Sequence, residues 1–397
     1  MRPITALRNV RVRSDGITTR AVDLVFDGGL IAAVEPAADL DSAGPDEVDG
    51  RGLLAMPTVI NAHAHVDKSW LGLEWQSYGG EGGTDGRIRH ERARRDELGI
   101  PSVERTREVL QAFVEHGTTA IRTHVDVDLG VGLRGIEAVR EAVAEWDGAL
   151  QAEIVAFPQD GVLRRDGVAD LLRRAVRAGA EHVGGLDPAG IDRDPVGQID
   201  VLLGIAADEG CGIDMHLHDS ADLGAFQMDL VIERAARLGL HGRMNFAHGF
   251  AIAQVGPARR RDLLQAMGEL GMTFTTVAPL RLPQLPLHEF AEAGVPFAFG
   301  TDGIRDLWSP YGTGDTLGIA WQYARSSSIV RDEDLQRVMD LATRGAASFV
   351  GRATHDLVPD APADVVLVEA EHEMDALVRV PRRELVIGGG RILHTAG

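Results

Sequence analysis

Hydrophobic and polar positions follow two different patterns along the chain. Near both ends, short runs of alternating or β-branched residues are separated by Gly- and Asp-containing turns, which predicts strands joined as hairpins. These runs occupy 9–13, 21–26, 364–368 and 384–387. We therefore expect residues 1–54 and 355–397 to form one small β-domain built from both ends of the chain.

Between these ends, short apolar runs alternate with longer amphipathic segments. The apolar runs predict eight strands, at 54–65, 119–127, 152–158, 182–186, 212–218, 244–248, 272–277 and 296–301. Seven of the amphipathic segments have apolar residues near helical spacing, at 102–116, 136–146, 168–178, 198–209, 228–238, 258–270 and 287–293. Strands alternating with helices at this length predict a TIM (β/α)8 barrel over 55–354, within an α/β fold class.

Composition narrows the class of partner. The chain has 40 Lys and Arg against 60 Asp and Glu, a net charge of −20, and only 5% aromatic residues. This balance repels phosphate backbones and anionic lipid surfaces, so we expect a small-molecule substrate, no nucleic acid and no membrane partner. We also expect a homo-oligomer.

Cysteine usage and the first residues bear on the compartment. Cys211 is the single cysteine, which excludes an intrachain disulfide framework and multi-cysteine metal sites. The first ten residues carry charge too early for a secretory leader, and no apolar run approaches the roughly 20 residues of a membrane span. These features predict a cytoplasmic protein.

Polar side chains recur where the predicted strands end, which is where barrel enzymes place catalytic groups. The segments are His63-Ala64-His65, His124-Val125-Asp126, Gln159-Asp160, His216-Leu217-His218-Asp219, His248 and Asp302. Residues two apart on a strand face the same side, so His63 and His65 can act as paired nitrogen ligands. Each has a structural alternative when taken alone: a packing pair for H-x-H, a hydrogen-bonded core histidine for His216, and a turn former for Asp302. Their joint occurrence in the strand register favours a metal site.

Several motifs resemble one known group. They are residues 61–68 (NAHAHVDK), 122–127 (RTHVDV), 154–161 (IVAFPQDG), 300–303 (GTDG) with Trp308, and the tail segments 363–366 and 388–391. Over nearly the whole chain the sequence resembles the amidohydrolase superfamily, and within it the cytosine deaminase-like branch. The resemblance implies a TIM barrel accompanied by a β-sandwich formed from both termini.

The resemblance also implies a ligand set. His63, His65, His216 and Asp302 would hold one divalent metal ion, zinc or iron, with manganese also compatible with these ligands. Members with two metals generally use a carboxylated lysine on the fourth strand, whereas the only lysine here is Lys68, after the first strand. A mononuclear site follows. Lys68 is either a polar group at the pocket rim or a structural ion-pair partner.

The expected chemistry is hydrolysis at an amidine-like ring carbon. The metal would lower the pKa of bound water, and Asp302 would accept the proton that leaves. The resemblance implies that His248, which matches the histidine of the family's sixth strand, would orient the hydroxide. Gln159 matches a glutamine that contacts the ring amide in relatives, its alternative being a loop-capping amide. Trp308 is a further expected substrate contact.

Departures from the cytosine deaminase pattern concern three residues. Asp219 stands where those enzymes have the acid glutamate, and it is one methylene shorter, so either the substrate sits differently or His218 assists. His218 has packing as its alternative role. Gly303 replaces a second aspartate, which we expect to remove a charge and open space beside the substrate for a different or bulkier ring substituent.

Three hypotheses about function follow. The first is a deaminase that releases ammonia from a cytosine-like or substituted pyrimidine or triazine ring. The second keeps the mechanism but hydrolyses an N-substituted amine, as isopropylammelide-type hydrolases do, or a cyclic amide. The third is a non-catalytic binding or assembly protein, which the retained ligand set disfavours. Deaminases with H-x-E and P-C-x-x-C motifs are excluded by the single cysteine.

Overall fold

A computed structural model describes residues 1–38 and 44–397 of the chain, which adopt a mixed α/β fold. The strands are β1 Arg2–Pro3, β2 Ala6–Asp15, β3 Thr18–Asp27, β4 Leu30–Pro36, β5 Glu47–Asp49, β6 Leu54–Pro57, β7 Val59–His65, β8 Thr118–Asp126, β9 Gln151–Phe157, β10 His182–Leu186, β11 Gly212–Leu217, β12 Met244–His248, β13 Thr273–Thr276, β14 Phe297–Phe299, β15 Asp302–Gly303, β16 Val365–Val368, β17 Arg383–Gly388 and β18 Arg391–Thr395.

The α-helices occupy the segments between and after the strands. They are α1 Gly83–Arg94, α2 Val103–Glu115, α3 Arg134–Ala144, α4 Val168–Arg177, α5 Pro195–Glu209, α6 Ala221–Leu238, α7 Ala251–Gln254, α8 Pro257–Glu269, α9 Leu287–Glu292, α10 Thr316–Ser326, α11 Asp332–Ala342 and α12 Glu373–Arg379. A π-helical turn covers Pro188–Asp192, and a 3-10 segment covers Arg344–Val350. Among the described residues, none of the helices combines the length and the hydropathy that a bilayer crossing requires.

One sheet is built from strands at both ends of the chain. Its order is β1-β18-β17-β16-β6-β2-β3-β4, with β5 pairing to β2. Val10, Val22 and Leu24 from the first strands pack with Val365 and Ile387 from the last ones in a single hydrophobic cluster. The alternation in the terminal segments thus reflects one buried face of a shared sheet.

The second sheet is parallel and curled. Its order is β14-β13-β12-β11-β10-β9-β8-β7-β15, and the first and last members of this path are separated in the chain only by Gly300 and Thr301. Every residue of β7 and β8 is buried, as expected for strands covered on both faces. This sheet carries the main hydrophobic core, with helices α2 to α6 packed around it.

The register of the parallel strands brings the predicted site residues to one end of the sheet. Leu186 pairs with His216, Leu217 pairs with His248, and Ala64 pairs with Asp302. The carboxyl ends of β7, β11 and β12 are therefore level with one another.

The eight predicted strands correspond to observed ones, with one correction. The predicted strand 54–65 is two strands, because β6 pairs with β16 and β2 in the terminal sheet while β7 begins the parallel sheet. The run is apolar throughout since both sheets bury it, so hydropathy does not show the change of sheet. The seven predicted helices correspond to α2 to α6, α8 and α9.

Candidate metal centre and active site

Five side chains converge at the carboxyl end of the parallel sheet. His65 Nε2 lies 3.2 Å from His216 Nε2, and Asp302 Oδ1 lies 3.6 Å from His63 Nε2 and 3.4 Å from His65 Nε2. His248 Nε2 is 3.8 Å from Asp302 Oδ2. The structure thus brings together the four predicted ligands and the predicted catalytic histidine, which lie far apart in the sequence.

Two overlapping sets of side chains have ligand atoms within 4.8 Å of one another. One set is His63, His216, His248 and Asp302, and the other is His63, His65, His124 and His216. The rings of His124 and His63 are 4.5 Å apart, as are those of His124 and His216. His124 therefore lies against the cluster from β8, a position to which the sequence prediction assigned no role.

The nitrogen atoms of these rings support metal binding. Both ring nitrogens of His63 and His248, and Nδ1 of His65 and His216, are buried and accept or donate no hydrogen bond within the described residues. Leaving buried polar atoms without partners costs stability, so native proteins rarely retain such a group of them without a ligand. Three imidazoles and a carboxylate suit zinc, iron or manganese.

The protonation states agree with ligation. Burial lowers the pKa of His65, His216 and His248 well below the ordinary histidine value, so each ring is neutral and has a free lone pair. Burial alone raises the pKa of Asp302, but the neighbouring rings of His63, His248 and His65 outweigh burial and hold this pKa well below its usual range. Neutral imidazoles around an ionised carboxylate are the forms that bind a cation.

Three non-glycine residues at this end of the sheet have left-handed backbone conformations. His248 has φ +69° and Asp302 has φ +61°, and Asp187, directly after β10, has φ +34°. Left-handed conformations are unfavourable for residues with a Cβ and persist where the surrounding structure holds them, often at functional sites. The three residues lie at the end of β12, directly after β10 and at the start of β15, around the histidine cluster.

His218 forms a pair with Asp187 beside the cluster. Its Nδ1 lies 3.0 Å from Asp187 Oδ2, and its backbone N–H donates to Asp187 Oδ1 at 2.6 Å. The His218 ring packs on that of His248 at 4.3 Å between centroids. Burial lowers the pKa of His218, but the Asp187 carboxylate outweighs it, so the pKa is raised overall. Asp187 was not predicted, because Leu186-Asp187-Pro188 has the sequence of an ordinary turn.

A cavity of about 410 Å³ opens over these groups, within the range of small-molecule sites. His65, His216, His248 and Asp302 form its floor, and Gln159, His218, Gly303 and Trp308 belong to its wall. His63 lies beneath, at 1% exposure.

The structure does not bring Asp219 to this cavity. Asp219 Oδ2 accepts from Gln227 Nε2 at 2.9 Å and from the Gly190 backbone N–H at 3.3 Å. The side chain therefore ties the π-helical turn to helix α6. The chain leaves the strand after Leu217, and residues 218 and 219 turn to opposite sides.

Lys68 connects several groups of the wall. Its Nζ donates to Asp126 Oδ1 at 2.6 Å and to Gln159 Oε1 at 3.0 Å, and it lies 3.7 Å from Glu91 Oε1. Lys68 also lines the cavity, so it is both an ion-pair partner and a pocket group. Because the oxygen of Gln159 is occupied by Lys68, the Nε2 hydrogens remain available to a substrate. Trp308 Nε1 donates to Glu91.

The expectation that Gly303 removes a charge and opens space is wrong. A Cβ at position 303 would lie 1.8 Å from Asp306 Oδ2. The carboxylate of Asp306 occupies the position that a side chain at 303 would take, and it lines the cavity. Asp306 lies four residues after Asp302, and this spacing does not indicate from the sequence that its carboxylate approaches Gly303.

Known proteins resemble the chain over almost its full length. Residues 102–394 match the amidohydrolase family. The crystal structure of N-isopropylammelide isopropylaminohydrolase from Burkholderia multivorans is 38% identical, with a TM-score of 0.91, covering 99% of this chain and 98% of that one. The N-isopropylammelide isopropyl amidohydrolase of Pseudomonas sp. strain ADP is 27% identical and the match covers 94% of each chain.

A third similarity concerns the fold. The structure of 5-methylcytosine deaminase from Klebsiella pneumoniae, liganded with 5-fluorocytosine, is 24% identical, with a TM-score of 0.85, covering 99% of this chain and 98% of that one. The resemblance read from the sequence motifs is confirmed by these matches. The chain belongs to the amidohydrolase family, a group of hydrolases that act on C–N bonds.

Proposed function

We propose that this protein is a mononuclear metal-dependent hydrolase that cleaves the exocyclic C–N bond of a small nitrogen heterocycle. The observation that carries the proposal is the cluster of imidazoles around Asp302, most of whose buried ring nitrogens have no partner among the described residues, with the His218–Asp187 pair beside it in one cavity. A purely structural histidine core would have its ring nitrogens satisfied.

His63, His65, His216 and Asp302 are the proposed ligands of a single zinc, iron or manganese ion. Strand β10 contains no lysine that could bridge a second ion, which supports one metal. When bound there, a divalent ion supplies Lewis acidity that lowers the pKa of water and polarises the reacting bond.

The remaining residues handle protons and orientation. The free carboxylate oxygen of Asp302 accepts the proton of the attacking water, and His248 holds that water against the ring carbon. His218, oriented through Nδ1 by Asp187, presents Nε2 to the cavity and protonates the departing amine. We propose His218 for the role predicted for Asp219, whose carboxylate is engaged by Gln227 and Gly190.

The substrate ring is proposed to lie between Trp308 and the Lys68–Gln159 wall. Gln159 Nε2 and Lys68 Nζ supply donors for a ring carbonyl or ring nitrogen. The leaving group is ammonia in a deaminase and an alkylamine in an N-substituted aminohydrolase, and the 38% identity to an isopropylaminohydrolase favours the alkylamine.

The test is a panel of cytosine, 5-methylcytosine, pterin and N-isopropylammelide, assayed separately for ammonia and for alkylamine with zinc-, iron- and manganese-loaded protein. Release of either amine supports the proposal and identifies the leaving group. The His216→Asn variant is the control, since it keeps a polar side chain but loses the imidazole. Absence of both products with every metal would refute the proposal, and metal content below about a tenth per chain would favour a non-catalytic protein.

Four further proposals concern the fold, the domains, the location and the oligomeric state of the protein. We propose that the curled parallel sheet closes as a (β/α)8 barrel, which the chain continuity from β14 to β15 supports. The division into a terminal β-sandwich and a central barrel, predicted at 54/55 and 354/355, is proposed with it, with the first boundary moved to follow β6 because residues 54–57 pair in the terminal sheet. A cytoplasmic location and a homo-oligomer remain proposals, to be tested by fractionation and by light scattering.

A further inference from the structure

Asp306 is a buried carboxylate with one engaged and one free oxygen. Its Oδ1 accepts the backbone N–H groups of Trp308 and Ser309, each at 2.8 Å. Its Oδ2 accepts no hydrogen bond from the described residues, and the residue is only 7% exposed. The two backbone contacts fix the plane of the carboxyl group, so the free oxygen has a defined position in the cavity wall.

Gly303 and Asp306 are sterically coupled. A Cβ at position 303 would lie 1.8 Å from Asp306 Oδ2 and 2.9 Å from its Cγ. The backbone of Gly303 does not have a positive φ, so its conformation does not require glycine. A side chain at position 303 would therefore require the Asp306 carboxylate to move from its observed position.

Groups of opposite hydrogen-bonding character line the cavity. Lys68 has only hydrogen-bond donors. Gln159 offers a substrate only the donors of its Nε2 group, because its Oε1 is engaged by Lys68. Asp306 Oδ2 can only accept while it is ionised. A heterocycle with a carbonyl and a ring N–H would satisfy both kinds of group, whereas a ring lacking N–H would leave Asp306 without a partner.

We propose that Asp306 is a specificity-determining residue, whose Oδ2 accepts a hydrogen bond from a ring N–H of the substrate and so selects heterocycles with an amide-like edge. This inference rests on the proposed function of the cavity. A buried carboxylate without a partner is costly, so a site built around one discriminates strongly against ligands that lack the donor.

The test uses Asp306→Asn with the best substrate of the panel. Asparagine keeps one oxygen for the N–H groups of Trp308 and Ser309 and replaces the free oxygen with a donor. We expect KM to rise by about tenfold to a hundredfold, with kcat changed less and metal content unchanged, since the lost hydrogen bond is to a charged group. A KM within about twofold of wild type overturns the inference.

A binding experiment provides a readout independent of turnover. Calorimetry compares uracil, which has two ring N–H groups, with 1,3-dimethyluracil, which has none. Wild type should prefer uracil by at least about tenfold, and this preference should collapse in Asp306→Asn. Wild-type binding of uracil no tighter than that of dimethyluracil, or a preference unchanged in the variant, contradicts the inference.

The steric part is tested by a double-mutant cycle on thermal stability. Gly303→Ala should destabilise wild type, because the added methyl group meets the carboxylate, and should cost much less in an Asp306→Ala background. Equal costs in both backgrounds overturn the assigned geometry. If wild type hydrolyses no ring of the panel, the proposed function fails while this cycle still reports on the Gly303–Asp306 contact. If wild type is active but Asp306→Asn keeps the KM and the uracil preference of wild type, only the specificity inference fails.

Discussion

Two buried polar clusters in this protein contain histidine and aspartate, and their hydrogen bonds differ. At the carboxyl end of the parallel sheet, neither ring nitrogen of His63 or of His248 has a hydrogen-bond partner within the described part of the chain. At the junction with the terminal sheet, His355 Nε2 donates to the Thr58 carbonyl at 2.7 Å, and its Nδ1 accepts from Arg352 at 2.8 Å. The histidines of both clusters are almost inaccessible to solvent, whereas the Asp302 side chain is 40% exposed at the cavity.

Asp364 completes the junction cluster. Its Oδ2 accepts from Arg352 and from Thr119 Oγ1, each at 2.7 Å, and its Oδ1 accepts the backbone N–H of Gly389 at 2.8 Å. Burial lowers the pKa of His216 in the first cluster and of His355 in the second. Burial and pKa therefore do not separate a structural cluster from a functional one, whereas the satisfaction of each polar atom does.

The variant His216→Asn is expected to show the largest difference between the two clusters. We expect kcat/KM to fall by at least about a thousandfold, because Lewis-acid stabilisation of the transition state is worth several kcal/mol. Metal content should fall with it, while the melting temperature of the metal-free protein should stay close to wild type. The measurements are kinetics, elemental analysis and calorimetry.

The same exchange at the junction, His355→Asn, is the matched control. It should leave metal content and kcat/KM near wild type. Loss of bound metal from this variant, or full activity of His216→Asn, would remove the proposed distinction between the clusters.

Asp364→Asn should produce the opposite phenotype. Removing one charge from a buried, hydrogen-bonded ion pair leaves Arg352 without its counterion, which costs about 3–5 kcal/mol of unfolding free energy. Urea unfolding measures this loss. Activity below the unfolding transition should be retained, and a variant as stable as wild type would show that the junction contributes little.

The pH dependence of stability tests the junction histidine. Burial lowers the pKa of His355 to about 4 in the folded protein. The unfolded state therefore binds more protons between about pH 6.5 and pH 4, and stability present above pH 6.5 is lost as pH falls through this window, by up to about 3 kcal/mol. Urea unfolding of wild type and His355→Gln at several pH values should show a shallower dependence in the variant. Parallel curves would assign the acid sensitivity to other groups.

Much of this architecture could be predicted from the sequence, because it is encoded in local periodicity. The H-x-H spacing of His63 and His65 and the βα rhythm placed the cluster at the correct strand ends. Helix α1 was missed, since its sequence GTDGRIRHERAR has few apolar residues and no amphipathic stripe. It nevertheless supplies Arg87 to the cavity wall.

The errors in the site concern contacts between side chains that local sequence does not encode. Asp219 was expected to reach the substrate, but its orientation depends on where the chain turns after β11 and on the amide of Gln227. Gly303 was expected to leave space, but Asp306 fills it. Asp187 could be recognised as a residue of the site only from its contact with His218 in the structure. Such pairings are decided by tertiary packing.

The smallest expected effect concerns a residue that acts through another. Asp187 positions His218 with two hydrogen bonds, one to the ring and one to the backbone N–H. Asparagine has a single oxygen and so cannot accept from both the backbone N–H and the ring of His218 with separate oxygens. The ring therefore loses its fixed orientation, and we expect kcat to fall by about tenfold to a hundredfold with KM little changed. Asp194→Asn is the matched control, because Asp194 caps helix α5 through Gly197 and has no assigned contact with the cavity. Reduced stability with unchanged kcat in Asp187→Asn would make Asp187 a structural residue, whereas a lower kcat at normal stability and metal content places the His218–Asp187 pair with the functional cluster.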